Sequence, residues 1–204
     1  MDKRLKRFLR TIYYFPSTSI NKLIFIFHKV KYDRGLEIMG VIYVKNKGNI
    51  TVSRNVRINS SAKSNPIGTG NKTYFQILPQ GKLTIGNNTR ISNSAITCAE
   101  SVFIGRYVRI GSGCKIYDTD FHSLNPYKRT AQPEIADAKH RPIIIEDYAF
   151  IGTDSFILKG VTIGKCSVVG AGSVVTNNIP EGEIWAGNPA VFIRKLTKEE
   201  MQNQ

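Results

Sequence analysis

The sequence predicts an all-β fold in which the chain coils repeatedly through short strands and tight turns. The main observation is a six-residue period, because from Ile145 to Val175 every sixth residue is aliphatic and β-branched. These positions are Ile145, Ile151, Ile157, Ile163, Val169 and Val175. Glycine follows three of them, at Gly152, Gly164 and Gly170. A period of six matches neither the helix repeat of about 3.6 residues nor the alternation of a simple strand.

A second run with the same period precedes the first and supports the same prediction. Its positions are Ile85, Ile91 and Thr97, then, after one extra residue, Ile104, Ile110 and Ile116. Val52 and Ile58, with Val56 between them, are typical of the start of such a run. Each repeat fits a short strand plus a tight turn, with one aliphatic side chain pointing inward. Stacked at the strand spacing of about 4.8 Å, these side chains form a column that a single repeat cannot bury alone.

The composition excludes several classes of protein. The chain has 204 residues, 41% hydrophobic and 22% charged, so it can bury a full core and is not disordered throughout. No apolar run reaches the roughly 18 residues that indicate an ordinary transmembrane helix. The cysteines, Cys98, Cys114 and Cys166, are too few for a disulfide scaffold. The net charge of +14 favours an anionic partner, such as a nucleic acid, a lipid surface or a phosphorylated cofactor.

Much of the positive charge lies in the first 35 residues. The basic residues there are Lys3, Arg4, Lys6, Arg7, Arg10, Lys22, Lys29, Lys31 and Arg34. The apolar run at residues 23–27 is shorter than the roughly 7–15 residues of a secretory signal, so we expect a cytoplasmic protein. A pair of short helices is expected in this segment. They either pack on the body of the protein or make a peripheral contact with an anionic membrane surface.

The repeats resemble those of the hexapeptide-repeat acyltransferases of the sugar and polysaccharide O-acetyltransferase type. The resemblance covers about residues 50–195, and the stretches that carry it are IGRYVR, IGTDSF, ILKGVT, IGKCSV and VGAGSV. It implies a left-handed parallel β-helix shaped as a triangular prism. With what the remaining residues indicate, the expected fold is this β-helix with an N-terminal helical segment, a long protruding loop and a short C-terminal helix. This hand departs from the usual right-handed crossover, so the period alone does not predict it. The resemblance also implies a homotrimer with its sites between subunits.

One long segment interrupts the repeats. They stop after Ile116 and resume at Ile145, and a long irregular loop inside a regular solenoid is usually either functional or disordered. The loop contains His122, in the sequence DTDFHS. Family members with such a segment use this histidine as a general base, so the resemblance implies that role for His122. Imidazole titrates near neutral pH and can accept the proton of a hydroxyl that attacks a thioester.

Residues around the loop have candidate roles. Asp120 or Asp118 could orient the imidazole through its second ring nitrogen, or each could simply make a turn. Asn93, on a repeat that precedes the loop, is a candidate contact for the acceptor. Of the other histidines, we expect His28 to be structural or at an interface, and His140 to be solvated.

The resemblance places acetyl-CoA in a groove along the prism. Gly152 and Thr153 would line the pantetheine with backbone groups. The residues toward the nucleotide end would be Lys159, Ala171, Thr176, Asn177 and Arg194. The physical case for the two cations is that the nucleotide of CoA carries several phosphate charges, which Arg can bind bidentately. The chain departs from many relatives at Asn177, where they have lysine, and at Phe150, where they have tryptophan.

The expected organisation has three parts. They are a basic, aromatic-rich N-terminal segment at 1–44, the β-helix at 45–180 with an active-site loop at 117–144, and a C-terminal cap and helix at 181–204. Thr197 followed by Glu200 fits a capping box at the start of that helix. The sequence has no P-loop, no zinc-ligand spacing, no GxSxG elbow and no nucleic-acid motif, so neither a metal nor a nucleic-acid partner is expected.

These observations predict an acetyl-CoA-dependent O-acetyltransferase. The acceptor is expected to be a carbohydrate, through a sugar hydroxyl of a glycan or a glycan precursor in polysaccharide biosynthesis. Direct transfer in a ternary complex is expected because no side-chain nucleophile is evident, and a backbone N–H is the expected oxyanion donor. Two alternatives stay open. One is transfer to a small molecule such as serine, maltose, an antibiotic or a sugar-nucleotide amine, and the other is a non-catalytic β-helix scaffold.

Overall fold

Three parallel sheets wrap around one core and form the body of the protein. The structure, a computed structural model, describes residues 2–63, 65, 67, 72–130 and 137–202. The helices of these residues are α1 (Lys3–Phe27), α2 (Pro126–Arg129) and α3 (Lys198–Met201). The strands are β1 (Lys31–Tyr32), β2 (Glu37–Gly40), β3 (Tyr43–Asn46), β4 (Asn49–Val52), β5 (Arg57–Ser60), β6 (Tyr74–Ile77), β7 (Lys82–Ile85), β8 (Arg90–Ser92), β9 (Ala95–Cys98), β10 (Ser101–Ile104), β11 (Arg109–Ile110), β12 (Lys115–Tyr117), β13 (Ile143–Ile145), β14 (Phe150–Ile151), β15 (Phe156–Leu158), β16 (Thr162–Ile163), β17 (Val168–Val169), β18 (Val174–Val175), β19 (Glu183–Gly187) and β20 (Ala190–Lys195).

Successive strands go to the three sheets in turn. The first sheet has the order β1-β4-β7-β10-β13-β16, and the third sheet has the order β3-β6-β9-β12-β15-β18. The second sheet has the order β2-β5-β8-β11-β14-β17-β19-β20. Every pairing is parallel except that of β19 with β20. One strand from each sheet makes one coil of the prism, as the resemblance implies.

The predicted aliphatic column lies inside the prism. In the second sheet, Ile58, Ile91, Ile110, Ile151 and Val169 stand in direct register, and each is at most 3% exposed. Equivalent columns line the inner faces of the other two sheets. Burying one such side chain contributes about 1.5–3 kcal/mol, so the columns are the main source of stability.

One position of the predicted column is wrong. Ile96, and not Thr97, points inward from β9, where it stands in register with Ile116. Thr97 lies on the outer side of the strand, in register with Tyr117. The turn between β8 and β9 is short, so that Ile96 follows Ile91 by five residues, and a strict count of six assigns the wrong face there.

The sheets meet at three corners, which are defined here by their turns. The first corner joins the first sheet to the second, the second corner joins the second to the third, and the third corner joins the third back to the first. The turns of the second corner include 93–94, 111–114, 152–155 and 170–173. The third corner includes the turn 99–100, the long loop after β12 and the turns 159–161 and 176–178.

The first corner repeats one strained turn. Its residues Asn55, Asn88, Tyr107, Tyr148 and Cys166 all have φ between 57° and 63°. This left-handed conformation costs an L-residue about 1–2 kcal/mol, least for Asn. Contacts along the corner offset the cost, because Asn55 donates a hydrogen bond to Asn88 at 3.3 Å and the rings of Tyr107 and Tyr148 stack with centroids 4.9 Å apart.

The N-terminal segment differs from its prediction in two ways. It forms one helix that continues through Pro16, where two short helices were expected. A proline removes one helical hydrogen bond and bends a helix without having to end it. The β-helix begins at Lys31 and not at residue 45, because β1, β2 and β3 form a first coil. The side chains of Lys3, Arg4, Lys6, Arg7 and Arg10 lie outside the described residues.

The C-terminal half of α1 packs on this first coil. Asn21 is buried and bonds to Gly40 O and Ile42 N at 2.8 and 3.1 Å, and Phe25 is 2% exposed. On the other side of the helix, Leu23, Ile26 and Phe27 are exposed. No helix of the described residues is both long enough and apolar enough to span a bilayer.

The other end of the prism is closed by the hairpin of β19 and β20. Strand β19 continues the second sheet by pairing with β17, and β20 turns back along it. The predicted capping box is confirmed at α3, where Thr197 accepts a bond from Glu200 N and Glu200 accepts one from Thr197 N.

The inward column can be tested within β13, where three isoleucines follow one another. Ile145 is fully buried and Ile144 is 38% exposed on the outer face. We expect Ile145→Ala to lower the free energy of unfolding by about 2–5 kcal/mol, because it leaves a cavity, and Ile144→Ala to lower it by about 1 kcal/mol or less. Urea unfolding followed by circular dichroism measures both. Equal losses would mean that the column does not carry the stability.

Candidate active site

A short antiparallel stem holds the loop at the third corner. Thr119 pairs with His140, the N–H of Asp120 donates to Lys139 O at 2.9 Å, and Arg141 N donates to Asp118 O at 2.9 Å. The stem closes a loop whose residues 131–136 lie outside the described residues. The part of the predicted active-site loop that includes His122 is therefore fixed close to the coil.

A strained turn presents His122 at the start of this loop. The His122 N–H donates to Asp120 O at 2.7 Å, and Phe121 between them has a φ of 63°. A bond between residues two apart around a positive φ is typical of a γ-turn, which is costly for a bulky residue. The Phe121 ring packs edge-on against the ring of Tyr117, with centroids 5.1 Å apart. The backbone N–H of Phe121 donates to Thr119 Oγ1. These contacts hold the turn, and His122 itself is exposed.

Asp118 has a structural role at the base of the loop. Its carboxylate is fully buried and accepts three backbone bonds, from Ala99 N at 2.6 Å, Glu100 N at 2.8 Å and Ser101 N at 2.9 Å. Both oxygens are thus committed to the turn that precedes β10. This geometry does not support the alternative in which Asp118 orients the imidazole.

Asp120 forms a half-buried ion pair with Lys159. Oδ1 of Asp120 lies 2.6 Å from Lys159 Nζ, and the two side chains are 20% and 21% exposed. Oδ2 of Asp120 is buried and has no hydrogen-bond partner among the described residues. Lys159 therefore lies beside the loop that carries His122, where its ammonium group balances the charge of the Asp120 carboxylate. No local sequence pattern indicates this pairing.

The second corner is narrow and made of small residues. A Cβ added to Gly152 would lie 2.5 Å from the backbone nitrogen of Ala171, so only glycine permits the observed stacking of these turns. Thr153 Oγ1 donates to Ser112 O at 2.7 Å, and Ala171 is exposed. The corner therefore offers an extended ligand a smooth edge of backbone groups.

The predicted site residues fall on two different corners of the prism. His122, Asp120, Lys159, Thr176 and Asn177 lie at the third corner. Asn93, Gly152, Thr153 and Ala171 lie at the second corner, and Asn93 is almost fully buried there. The third sheet separates the two groups within one subunit. A single chain does not bring them together.

Arg194 lies apart from both corners, on the closing hairpin. Its Nη1 and Nη2 donate to the two carboxylate oxygens of Glu200 at 2.7 and 2.8 Å. This bidentate bond lowers the pKa of the Glu200 carboxyl to about 2. A CoA phosphate at Arg194 would have to share the guanidinium with Glu200.

The cysteines are poorly suited to form a covalent intermediate. Burial raises the pKa of Cys98 to about 12 and that of Cys114 to about 11, and burial also raises the pKa of Cys166. The thiolate is the nucleophilic form of cysteine, so its population at neutral pH is very small at Cys98 and Cys114.

Comparisons with known proteins assign the chain to a family. The family described as the hexapeptide repeat of succinyl-transferase matches residues 142–177. A crystal structure of a hexapeptide-repeat-containing acetyltransferase from Vibrio cholerae is 34% identical, with a TM-score of 0.54, and the match covers 61% of this chain and 68% of that one. The chain belongs to the hexapeptide-repeat acetyltransferase family. Membership confirms the predicted fold class, a left-handed parallel β-helix. The structure of the same Vibrio protein in complex with acetyl-CoA matches with a TM-score of 0.55.

Curated members and relatives of the family match over shorter regions. A galactoside O-acetyltransferase from Lactococcus lactis is 35% identical over 103 residues, which are 50% of this chain and 46% of that protein. A mitochondrial gamma carbonic anhydrase 2 from Arabidopsis thaliana is 52% identical over 59 residues, 28% of this chain and 21% of that one. The chain thus spans less than half the length of these two relatives. Within its described residues, no group of three or more His, Cys, Asp and Glu side chains is placed to hold a metal ion.

The structural role of Asp118 predicts a large loss of stability on its removal. Asp118→Ala leaves three partly buried N–H groups without their acceptor, and we expect the free energy of unfolding to fall by about 3 kcal/mol. Asp33→Ala is the matched control, because Asp33 is half exposed and its removal is expected to shift the urea midpoint much less. The measurement is the urea midpoint at constant m-value. A small and equal shift in both variants would contradict the role given to Asp118.

Proposed function

We propose that the protein transfers the acetyl group of acetyl-CoA to a hydroxyl of a sugar on a glycan or glycan precursor, with His122 as the general base. The observation that carries the proposal is the γ-turn at Phe121, which is strained and yet supported by the contacts of Phe121 with Tyr117 and Thr119. Strain that the surrounding structure maintains is typical of functional sites. Family membership supplies the class of reaction, and the galactoside O-acetyltransferase supports a carbohydrate as the acceptor.

The chemistry requires one group that takes a proton and later returns it. The imidazole of His122 accepts the proton of the acceptor hydroxyl as the oxygen attacks the thioester carbonyl. The tetrahedral intermediate collapses, the carbon–sulfur bond breaks, and the CoA thiolate leaves with the proton from the imidazolium. The raised pKa values of the cysteines favour this direct route over an acyl-cysteine intermediate.

Asp120 acts in this proposal as a positioning residue. The ammonium of Lys159 pairs with Oδ1 of its carboxylate, and the buried Oδ2 retains capacity to accept a hydrogen bond. The backbone bond from His122 N to Asp120 O ties the two residues together. An ionised carboxylate beside the base orients the imidazole and stabilises the imidazolium that forms during the reaction.

The two separated groups of site residues support a homotrimer. In a symmetric oligomer with parallel prisms, the third corner of one subunit can face the second corner of its neighbour. Acetyl-CoA would then lie between the two subunits, with its thioester near His122 and its pantetheine along Gly152, Thr153 and Ala171. Thr176, Asn177 and Arg194 remain predicted contacts of the nucleotide.

The predicted contact of residues 1–35 with an anionic membrane stays a prediction. It is supported by the exposed apolar side chains of α1, Leu23, Ile26 and Phe27, which lie close in the chain to Lys22 and Lys29. Apolar side chains flanked by cations are typical of helices that lie on a membrane surface. Lipid-linked glycan precursors would be reached from such a surface.

Substitution of the base tests the proposal directly. We expect His122→Ala to lower kcat for CoA release in the presence of acceptor by about 10²–10⁴-fold, because general base catalysis is lost. The dissociation constant for acetyl-CoA is expected to stay unchanged. Release of free thiol measures turnover, and calorimetry measures acetyl-CoA binding.

Two further variants serve as controls for this experiment. His140→Ala, which removes a histidine paired with Glu100 at 2.8 Å, is expected to retain activity. Asp120→Asn is expected to add no further loss in the His122→Ala background, because a positioning residue acts through the base. Full turnover in His122→Ala would refute the assignment of the base, and wild-type protein that binds no acetyl-CoA would favour a scaffold.

A further inference from the structure

Three arginines stand in one row on the outer face of the second sheet. Arg57, Arg90 and Arg109 are direct neighbours in register across β5, β8 and β11. Adjacent strands lie about 4.8 Å apart, so three positive charges are stacked along the sheet. Like charges directly opposite each other on a sheet are destabilising. The row, called here the arginine row, therefore lowers the stability of the fold unless an anion compensates it.

The described residues compensate only one end of the arginine row. Glu37 forms an ion pair with Arg57 at 2.9 Å. Arg90 and Arg109 have no ion pair among the described residues. Arg109 is also partly withdrawn from water, and burial, followed by the charges of Arg90 and Arg57, lowers the pKa of its guanidinium. Its Nη1 donates to Asn88 O at 2.8 Å, which fixes the side chain without neutralising it.

A groove of about 610 Å³ lies over the arginine row. Its lining includes the three arginines and Lys63, and no carboxylate among the described residues. Asn59 and Ser92 also line it and are hydrogen-bonded to each other at 2.9 Å, so amide and hydroxyl groups are present. Phe150 follows Arg109 in register and is 47% exposed, which provides a flat apolar surface beside the charges. Cations, small polar groups and one aromatic face together suit an acidic sugar.

The groove also leads toward the proposed reaction site. Gly111 lines it and packs at the second corner against Gly152 and Thr153, where a Cβ on Gly111 would lie 2.6 Å from Thr153 N. Ser92 lines it and directly precedes Asn93, the predicted acceptor contact. A ligand in the groove would thus reach the corner along which acetyl-CoA is proposed to bind.

We propose that the arginine row binds an oxyanion, carboxylate or phosphate, of the acceptor glycan, so that the acceptor is an acidic sugar. The proposal rests on the proposed function for the identity of the bound molecule as an acceptor. Arg90 and Arg109 bind the oxyanion, Phe150 lies against the sugar ring, and the hydroxyl to be acetylated extends toward the second corner. Specificity follows, because a neutral sugar leaves the row uncompensated.

Binding of matched sugars tests the proposal at fixed ionic strength. The probes are trigalacturonic acid with its trimethyl ester, in which the carboxyl groups carry no charge, and glucose 6-phosphate with glucose. We expect the wild-type protein to bind at least one acidic probe about tenfold or more tightly than its neutral partner. The pair with the larger ratio of affinities, acidic over neutral, identifies carboxylate or phosphate as the preferred group.

Three variants locate the binding. Arg90→Gln and Arg109→Gln are each expected to weaken binding of the acidic probe about tenfold or more, with unchanged affinity for acetyl-CoA. Arg54→Gln is the control, since it removes the same charge from an arginine paired with Asp33 outside the row, and binding should not change. Circular dichroism and sedimentation check that each variant keeps its fold and its oligomeric state.

Four outcomes would overturn the proposal. The first two are equal affinity for acidic and neutral probes, and no binding of any acidic probe. The third is that Arg54→Gln weakens binding as much as Arg90→Gln and Arg109→Gln do. The fourth is a change of oligomeric state in Arg90→Gln, which would make the row a subunit contact. Thiol release by the wild-type protein is followed separately. Failure of acetyl transfer with intact binding of the acidic probe would reject the proposed function and leave the oxyanion site standing as a binding site.

Discussion

The in-register stacking of inward aliphatic side chains is the constraint on which the rest of the structure depends. Each Ile or Val of one coil lies on that of the next, as Ile91 does between Ile58 and Ile110. Backbone hydrogen bonds set the distance between coils, and burial of these side chains on one face sets their register. Every other repeat position is then stacked as well. The strained first corner, the small residues of the second corner and the arginine row are all columns of equivalent positions on one regular scaffold.

The same regularity explains why the candidate site is divided. A β-helix places residues from different coils close together only when they share a face or a corner. His122 and Lys159 share the third corner, whereas Gly152 and Ala171 share the second, and the third sheet lies between them. A ligand that contacts both groups must bridge two prisms. We therefore expect each site to combine the third corner of one subunit with the second corner of another.

The sequence was sufficient to predict the solenoid, the loop and the capping box, because each depends on local spacing. It also contained signals that were missed. Ile38, Val44, Ile50 and Val56 are six residues apart and mark the earlier start of the β-helix, and each arginine of the row directly precedes an inward isoleucine. The different environments of Asp118 and Asp120 could not be predicted. They depend on backbone N–H groups and a lysine that are distant in sequence.

Mixing two inactive variants tests the division of the site most directly. His122→Ala removes the base at the third corner, and Ala171→Trp blocks the exposed second corner, so neither variant alone should release CoA. If the site combines two subunits, randomly mixed trimers should recover about a quarter of the wild-type activity, since about one site in four has both intact corners. No recovery, in a mixture that native mass spectrometry shows to contain mixed trimers, would contradict the account.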